Sequence, residues 1–296
     1  MVFLRYGYIL LNTLLNGIST PILKKLGQIL PIYPVILIRG LISLLIFSRL
    51  KTENKKLTSS DLGYYAVLIV LSIIGFFTYY TSLKLVDVGL IAVFTINVTM
   101  ILTLVLSSVV LKEKYTYLQW IFILISLFSL TAITYEGIRV EFNIGILLLI
   151  INSLVNSVAA ILTKKILDRR CGNELSFVRV SVDVSMSMLV LLLTPLLISE
   201  FIDKLTILIA LVIVYLAINS VILATLQNKS VRTIGVGLTD ILKNLTTVVT
   251  IVIGAIFMGD TYTAVQLSAL GVFIVSTFSI IILKNKSSIK TNGQTG

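Results

Sequence analysis

The sequence predicts an all-α integral membrane protein with ten transmembrane helices in two inverted five-helix repeats. Three observations predict it. Of 296 residues, 57% are hydrophobic and 12% charged, against about 25% charged in a soluble domain; the mean hydropathy is +1.06. Apolar runs long enough to cross a bilayer, roughly 18 residues or more, recur from end to end. Polar residues also reappear at fixed offsets between the two halves.

The first unit, residues 1–138, holds the apolar spans Tyr6–Leu23, Pro34–Leu50, Leu62–Ser82, Val88–Leu111 and Leu118–Tyr135. The stretch Met1–Asn16 carries Arg5 but no small-residue cleavage site after its apolar run, so it reads as a membrane helix and not a removed signal. The second unit, residues 139–284, holds Ile144–Leu167, Leu175–Ile198, Leu205–Leu226, Ile234–Met258 and Val265–Leu283. Residues 285–296 are polar and expected to be disordered. The longest polar connections, Lys51–Asp61 and Asp168–Glu174, are too short to form domains.

The repeat rests on particular residues. Asn12, Asn16, Lys24, Lys25 and Arg39 recur 140 positions on as Asn152, Asn156, Lys164, Lys165 and Arg179. At an offset of 147, Asn97, Glu113, Tyr115, Thr116 and Gln119 recur as Asn244, Asp260, Tyr262, Thr263 and Gln266. Five spans per repeat is an odd number, so the second repeat enters the membrane from the opposite side. Inverted repeats of this kind build secondary transporters with a substrate site near the midplane.

Charge sets the expected orientation. With a cytoplasmic N-terminus, the inside segments hold 16 of the 24 Lys and Arg residues, including Arg49, Lys112, Lys164, Arg170 and Lys229. The outside segments hold five: Lys24, Lys25, Lys84, Arg139 and Lys204. That bias places both termini inside. The same distribution, short basic clusters between apolar spans, explains the net charge of +11 without a nucleic-acid partner. The chain has no histidine and one cysteine, Cys171. Histidine catalysis, an internal disulfide and Cys/His metal sites are therefore excluded. No glycine-rich loop ends in Gly-Lys-Ser/Thr, so ATP-driven transport by this chain is not expected.

Three cations lie within spans: Arg39, Arg179 and Lys243. Ile234–Met258 carries Asp240, Lys243 and Asn244 close to its middle. A charge at the centre of a membrane helix costs roughly 2.5–3.5 kcal/mol, which points to a helix facing a polar interior. Asp240 and Lys243 share a helix face: either they neutralise each other, or they meet a substrate charge or a coupling proton. Arg39 and Arg179 sit shallowly enough to snorkel, or they bind substrate. Asp183, one turn from Arg179, is the candidate proton-coupling carboxylate. Asn12 with Asn16, and Asn152 with Asn156, form polar stripes that serve as interhelical bonds or as cavity lining. Asn97, Asn244, Tyr79 and Tyr80 are further candidates for that lining, whereas Glu113 and Asp260 read as caps for the helices that follow them.

The stretch Gly75–Lys84, the span Val88–Val110, then Leu111-Lys-Glu113 and Gln119-Trp120, resembles the first half of a drug/metabolite transporter with EamA repeats. Met258-Gly-Asp260 and the span after Gln266 resemble the matching end of the second half, and Arg39 fits the same pattern. The resemblance covers about residues 5 to 284. The fourth and ninth spans lack the family's usual proline, and Asp260 stands where glutamate is usual. Asp240 to Asn244 is similar to the ninth helix of nucleotide-sugar and sugar-phosphate carriers, where a lysine faces phosphate.

This resemblance implies ten helices and an alternating-access cavity without a cofactor. The expected function is a secondary transporter in the plasma membrane, exporting small polar metabolites such as amino acids, as a monomer or homodimer. The alternative is an exchanger of phosphorylated or nucleotide-linked substrates. An intramembrane protease using Asp183 and Asp240 lacks a supporting motif, a channel or a non-transporting membrane scaffold is a further alternative, and no enzymatic activity is expected.

Overall fold

The computed structural model describes residues 2–50, 58–82, 85, 97–134, 144–258 and 262–292. Every regular element among them is helical. The first half contains α1 (Val2–Ile29), α2 (Ile32–Arg49), α3 (Ser59–Ser82), α4 (Thr99–Val110) and α5 (Tyr117–Thr134). The second contains α6 (Ile144–Leu167), α7 (Gly172–Leu193), α8 (Leu196–Lys204), α9 (Ile207–Ile234), α10 (Val236–Lys243), α11 (Thr246–Ile253) and α12 (Ala264–Asn292).

Among the described residues, seven helical stretches are long and apolar enough to cross a membrane: α2, α3, α6, α7, α9, α10 with α11, and α12. The remaining expected spans differ for separate reasons. α1 has 28 residues, but Asn12, Thr13, Asn16, Lys24 and Lys25 dilute its apolar character. The apolar part of α5 is described over 17 residues, just short of a full crossing. The span expected over 88–111 is described only from Asn97 onward.

Two expectations need correcting. The eighth span was expected over Leu205–Leu226, but its helix runs on to Ile234 because Gln227, Asn228 and Ser230 face protein and not lipid. The ninth span was expected to be continuous. It is interrupted at Gly235 and again at Asn244–Leu245, and it ends in a π-helical turn over Gly254–Met258. The last helix, α12, is described as far as Asn292.

The packing of the two halves corresponds element by element. α5 runs along α12, α2 along α7 and α4 along α10, each against its own counterpart. α3 packs on α6 as α9 packs on α1, and α4 on α6 as α11 on α1. The polar bonds follow suit: Asn152 Nδ2 donates to the Gly75 carbonyl at 2.8 Å, and Asn12 Nδ2 to the Leu223 carbonyl at 2.7 Å. Without water in the hydrocarbon, buried hydroxyls bond carbonyls about one turn back. Ser43 to Arg39 and Ser157 to Ser153 are examples, both at 2.8 Å.

The repeated Thr-x-x-Gln motifs become capping boxes. The Thr116 N–H donates to Gln119 Oε1 at 2.7 Å, and the Thr263 N–H to Gln266 Oε1 at 2.9 Å. The reciprocal N–H bonds of Gln119 and Gln266 reach the threonine hydroxyls at 3.4 and 3.3 Å. Thr116→Ala or Thr263→Ala is expected to lower stability by about 1 kcal/mol, read as a fall in melting temperature in detergent.

Candidate functional site

α2, α3, α6, α7, α9 and α10 enclose a cavity of about 540 Å³, within the size range of small-molecule sites. α3 contributes Ser72, Gly75, Phe76 and Tyr79, and α6 contributes Asn152, Asn156 and Thr163. Thr99 enters from the start of α4, and Gln227 from the late turns of α9.

Among the described residues, five charges line this space: Arg39 from α2, Arg179 and Asp183 from α7, and Asp240 and Lys243 from α10. Asp183 lies within electrostatic range of both arginines, and Asp240 within range of Lys243 and Arg179. Yet among the described residues the ion pairs within 4.0 Å lie elsewhere: Arg170 with Asp61, Lys164 with Asp168, and Lys204 with Glu200. The cavity charges are therefore held near one another without closing onto one another. Arg179 is fixed by donating from Nη2 to Thr163 Oγ1 at 2.6 Å. Asn156 Nδ2 donates to Asn152 Oδ1 at 2.9 Å, and Asn152 in turn ties α6 to α3.

The position of α10 depends on the other repeat. Glu113, expected to cap the helix that follows it, caps α10 instead. Its Oε1 accepts from the Val236 N–H at 2.8 Å and its Oε2 from the Gly237 N–H at 3.2 Å. The adjoining loop already supplies α5 with its own capping box, which leaves Glu113 free for the second helix. Tyr115 donates its hydroxyl to Glu113 Oε2 at 2.6 Å. Burial and the adjacent carboxylate hold that phenol well above its ordinary pKa, so it stays a donor. Gly235 has φ +89°, a conformation that favours glycine, and a Cβ there would lie 2.5 Å from Glu113 Oε1. At Gly237 a Cβ would come within 2.2 Å of the Tyr115 hydroxyl.

The remaining candidates lie off the cavity wall. Asn12 is buried against α9, and Asn16 belongs to the same stripe on α1, outside the lining. Asn97 Nδ2 donates to Thr131 Oγ1 at 3.0 Å, and Asn244 Nδ2 contacts Met100 Sδ at 2.9 Å. Asn97 lies just ahead of α4 and Asn244 in the turn after α10, while nearby Thr99 and Lys243 line the cavity instead. The Tyr80 side chain lies outside the described residues, whereas Tyr79 lines the cavity. Sequence reasoning also missed Gln227, because it ended that span at Leu226, and Thr163, whose role becomes visible only through Arg179.

No curated protein matches the chain. A solved crystal structure of a protein superposes with a TM-score of 0.68, covering 94% of this chain and 97% of its own at 14% identity; the likeness concerns the fold. A model of the EamA-like transporter family matches residues 4–135 and again residues 143–282. The chain therefore belongs to the EamA-like transporter family and is a multi-pass membrane transporter of the drug/metabolite transporter superfamily.

Proposed function

We propose that the protein is a secondary transporter that exports small polar metabolites carrying both charge signs, amino acids foremost, by alternating access at the charged cavity. One observation carries this reading: among the described residues, three cations and two carboxylates line a single cavity, with no ion pair closed among them. A zwitterion offers a carboxylate to the cations and an ammonium to Asp183 or Asp240. Supporting groups are Tyr79, Asn152, Asn156 and Thr163. The proposal includes ten spans in two inverted repeats, both termini cytoplasmic, and a plasma-membrane location. The odd number of spans per repeat and the lysine and arginine bias support it. Outward direction rests on the family resemblance.

The test is a thermal-shift screen of the solubilised protein against neutral amino acids, purines, sugar phosphates and nucleotide sugars, since a ligand of the folded state raises its melting temperature. Stabilisation by amino acids, followed by their counterflow in proteoliposomes, is the expected result. A second reading, exchange of phosphorylated substrates, is favoured by the excess of one cation in the lining. It predicts stabilisation by sugar phosphates or nucleotide sugars that disappears in Lys243→Gln.

Asp183 is the proposed proton-coupling group. Asp183→Asn is expected to abolish accumulation driven by a pH gradient while counterflow exchange persists. Loss of both activities in a protein that still binds ligand would assign Asp183 to the translocation step itself.

A further inference from the structure

A second cavity, about 440 Å³, lies between the end of α2, the start of α7 and the late turns of α9. It shares no lining residue with the charged cavity. One wall is apolar, formed by Val221, Ile222 and Leu226 of α9 with Leu50 at the end of α2. The other end holds Lys229 and Arg232, and among the described residues no carboxylate lines the space.

The polar end is built rather than incidental. Arg232 donates from Nε to the Leu167 carbonyl at 2.8 Å and from Nη2 to the Arg170 carbonyl. Those neutral acceptors orient the guanidinium and leave its charge uncancelled. Lys229 is exposed, its Nζ 5.3 Å from the centre of the Tyr8 ring. Gly172 at the start of α7 also lines the space, and the preceding Cys171 gives that helix no side-chain cap.

We propose that this groove binds one anionic phospholipid, with an acyl chain along the apolar wall of α9 and the phosphate between Lys229 and Arg232. In a multi-pass membrane protein, an apolar groove facing outward at helix ends is bathed in lipid, and paired cations select an anionic headgroup. The inference requires the chain to span a membrane, but not any particular transported solute.

Cys171 lines the groove and is the chain's sole cysteine, so its reaction with a maleimide reports occupancy. The protein is reconstituted in phosphatidylcholine vesicles with and without phosphatidylglycerol, and in phosphatidylcholine with soluble glycerol phosphate added. Labelling is expected to slow several-fold with phosphatidylglycerol and to be unchanged by glycerol phosphate. The slowing should be lost in Lys229→Gln and in Ile222→Trp, which fills the groove. Equal rates in both lipids overturn the proposal. So does slowing that persists in either variant, because surface potential alone then explains it. Equal protection by glycerol phosphate overturns it in favour of a free-phosphate site.

Discussion

Lys243→Gln is expected to weaken binding of a carboxylate- or phosphate-bearing ligand by about a hundredfold. The lysine is the last residue of α10, where the helix C-terminus favours a cation. The chain turns at Asn244, whose N–H bonds back to Ile241 and Leu242, so Lys243 is presented at a helix end inside the cavity. Removing one partner of a desolvated charge contact costs about 3 kcal/mol, which is two decades in affinity. The competing idea, that Lys243 only offsets Asp240, predicts something different. The empty variant would then melt at a lower temperature, ligand affinity would be unchanged, and Asp240→Asn would restore the melting point. Ligand titration and melting of both variants separate the two.

Glu113→Ala is expected to destabilise the protein by about 2–3 kcal/mol. Two backbone N–H groups of α10 lose a carboxylate acceptor at a helix terminus, and charge-assisted bonds of this kind are each worth about 1.5 kcal/mol or more. Glu113→Gln keeps one acceptor oxygen and should lose about half as much. Gly235→Ala should fall in the same range, because its positive φ costs a side chain about 1–2 kcal/mol and the new Cβ meets Glu113. Since α10 carries Asp240 and Lys243, all three variants should also lower ligand affinity without touching the cavity. Normal melting in Glu113→Ala would count against this cap.

Much of the architecture was legible because hydrocarbon permits few solutions. A chain of apolar spans must be helical to satisfy its own backbone, so composition alone fixed the class. The repeat was legible through Thr116 and Gln119 against Thr263 and Gln266, because capping needs particular side chains at fixed spacing. Apolar span residues, interchangeable against lipid, carried little such information. Arg39, Arg179, Asp183, Asp240 and Lys243 stood out individually, since charges inside spans are rare.

The assembly of those charges was not legible. They come from three helices, with Arg39 and Lys243 204 positions apart, and only packing brings them onto one cavity. The asparagine stripes show why symmetry in the sequence misleads. Asn12 and Asn152 make equivalent bonds to α9 and α3, yet only the α6 stripe borders the cavity. A single residue of helical rotation, about 100°, separates Lys243 facing inward from Asn244 facing Met100. By itself the sequence determined the helical membrane class, the twofold repeat and the list of charges that needed an explanation. Only the tertiary structure decided which of them share a cavity, and that a glutamate of one repeat caps a helix of the other. Periodicity records the faces of single helices, whereas a site depends on how several of them rotate against one another.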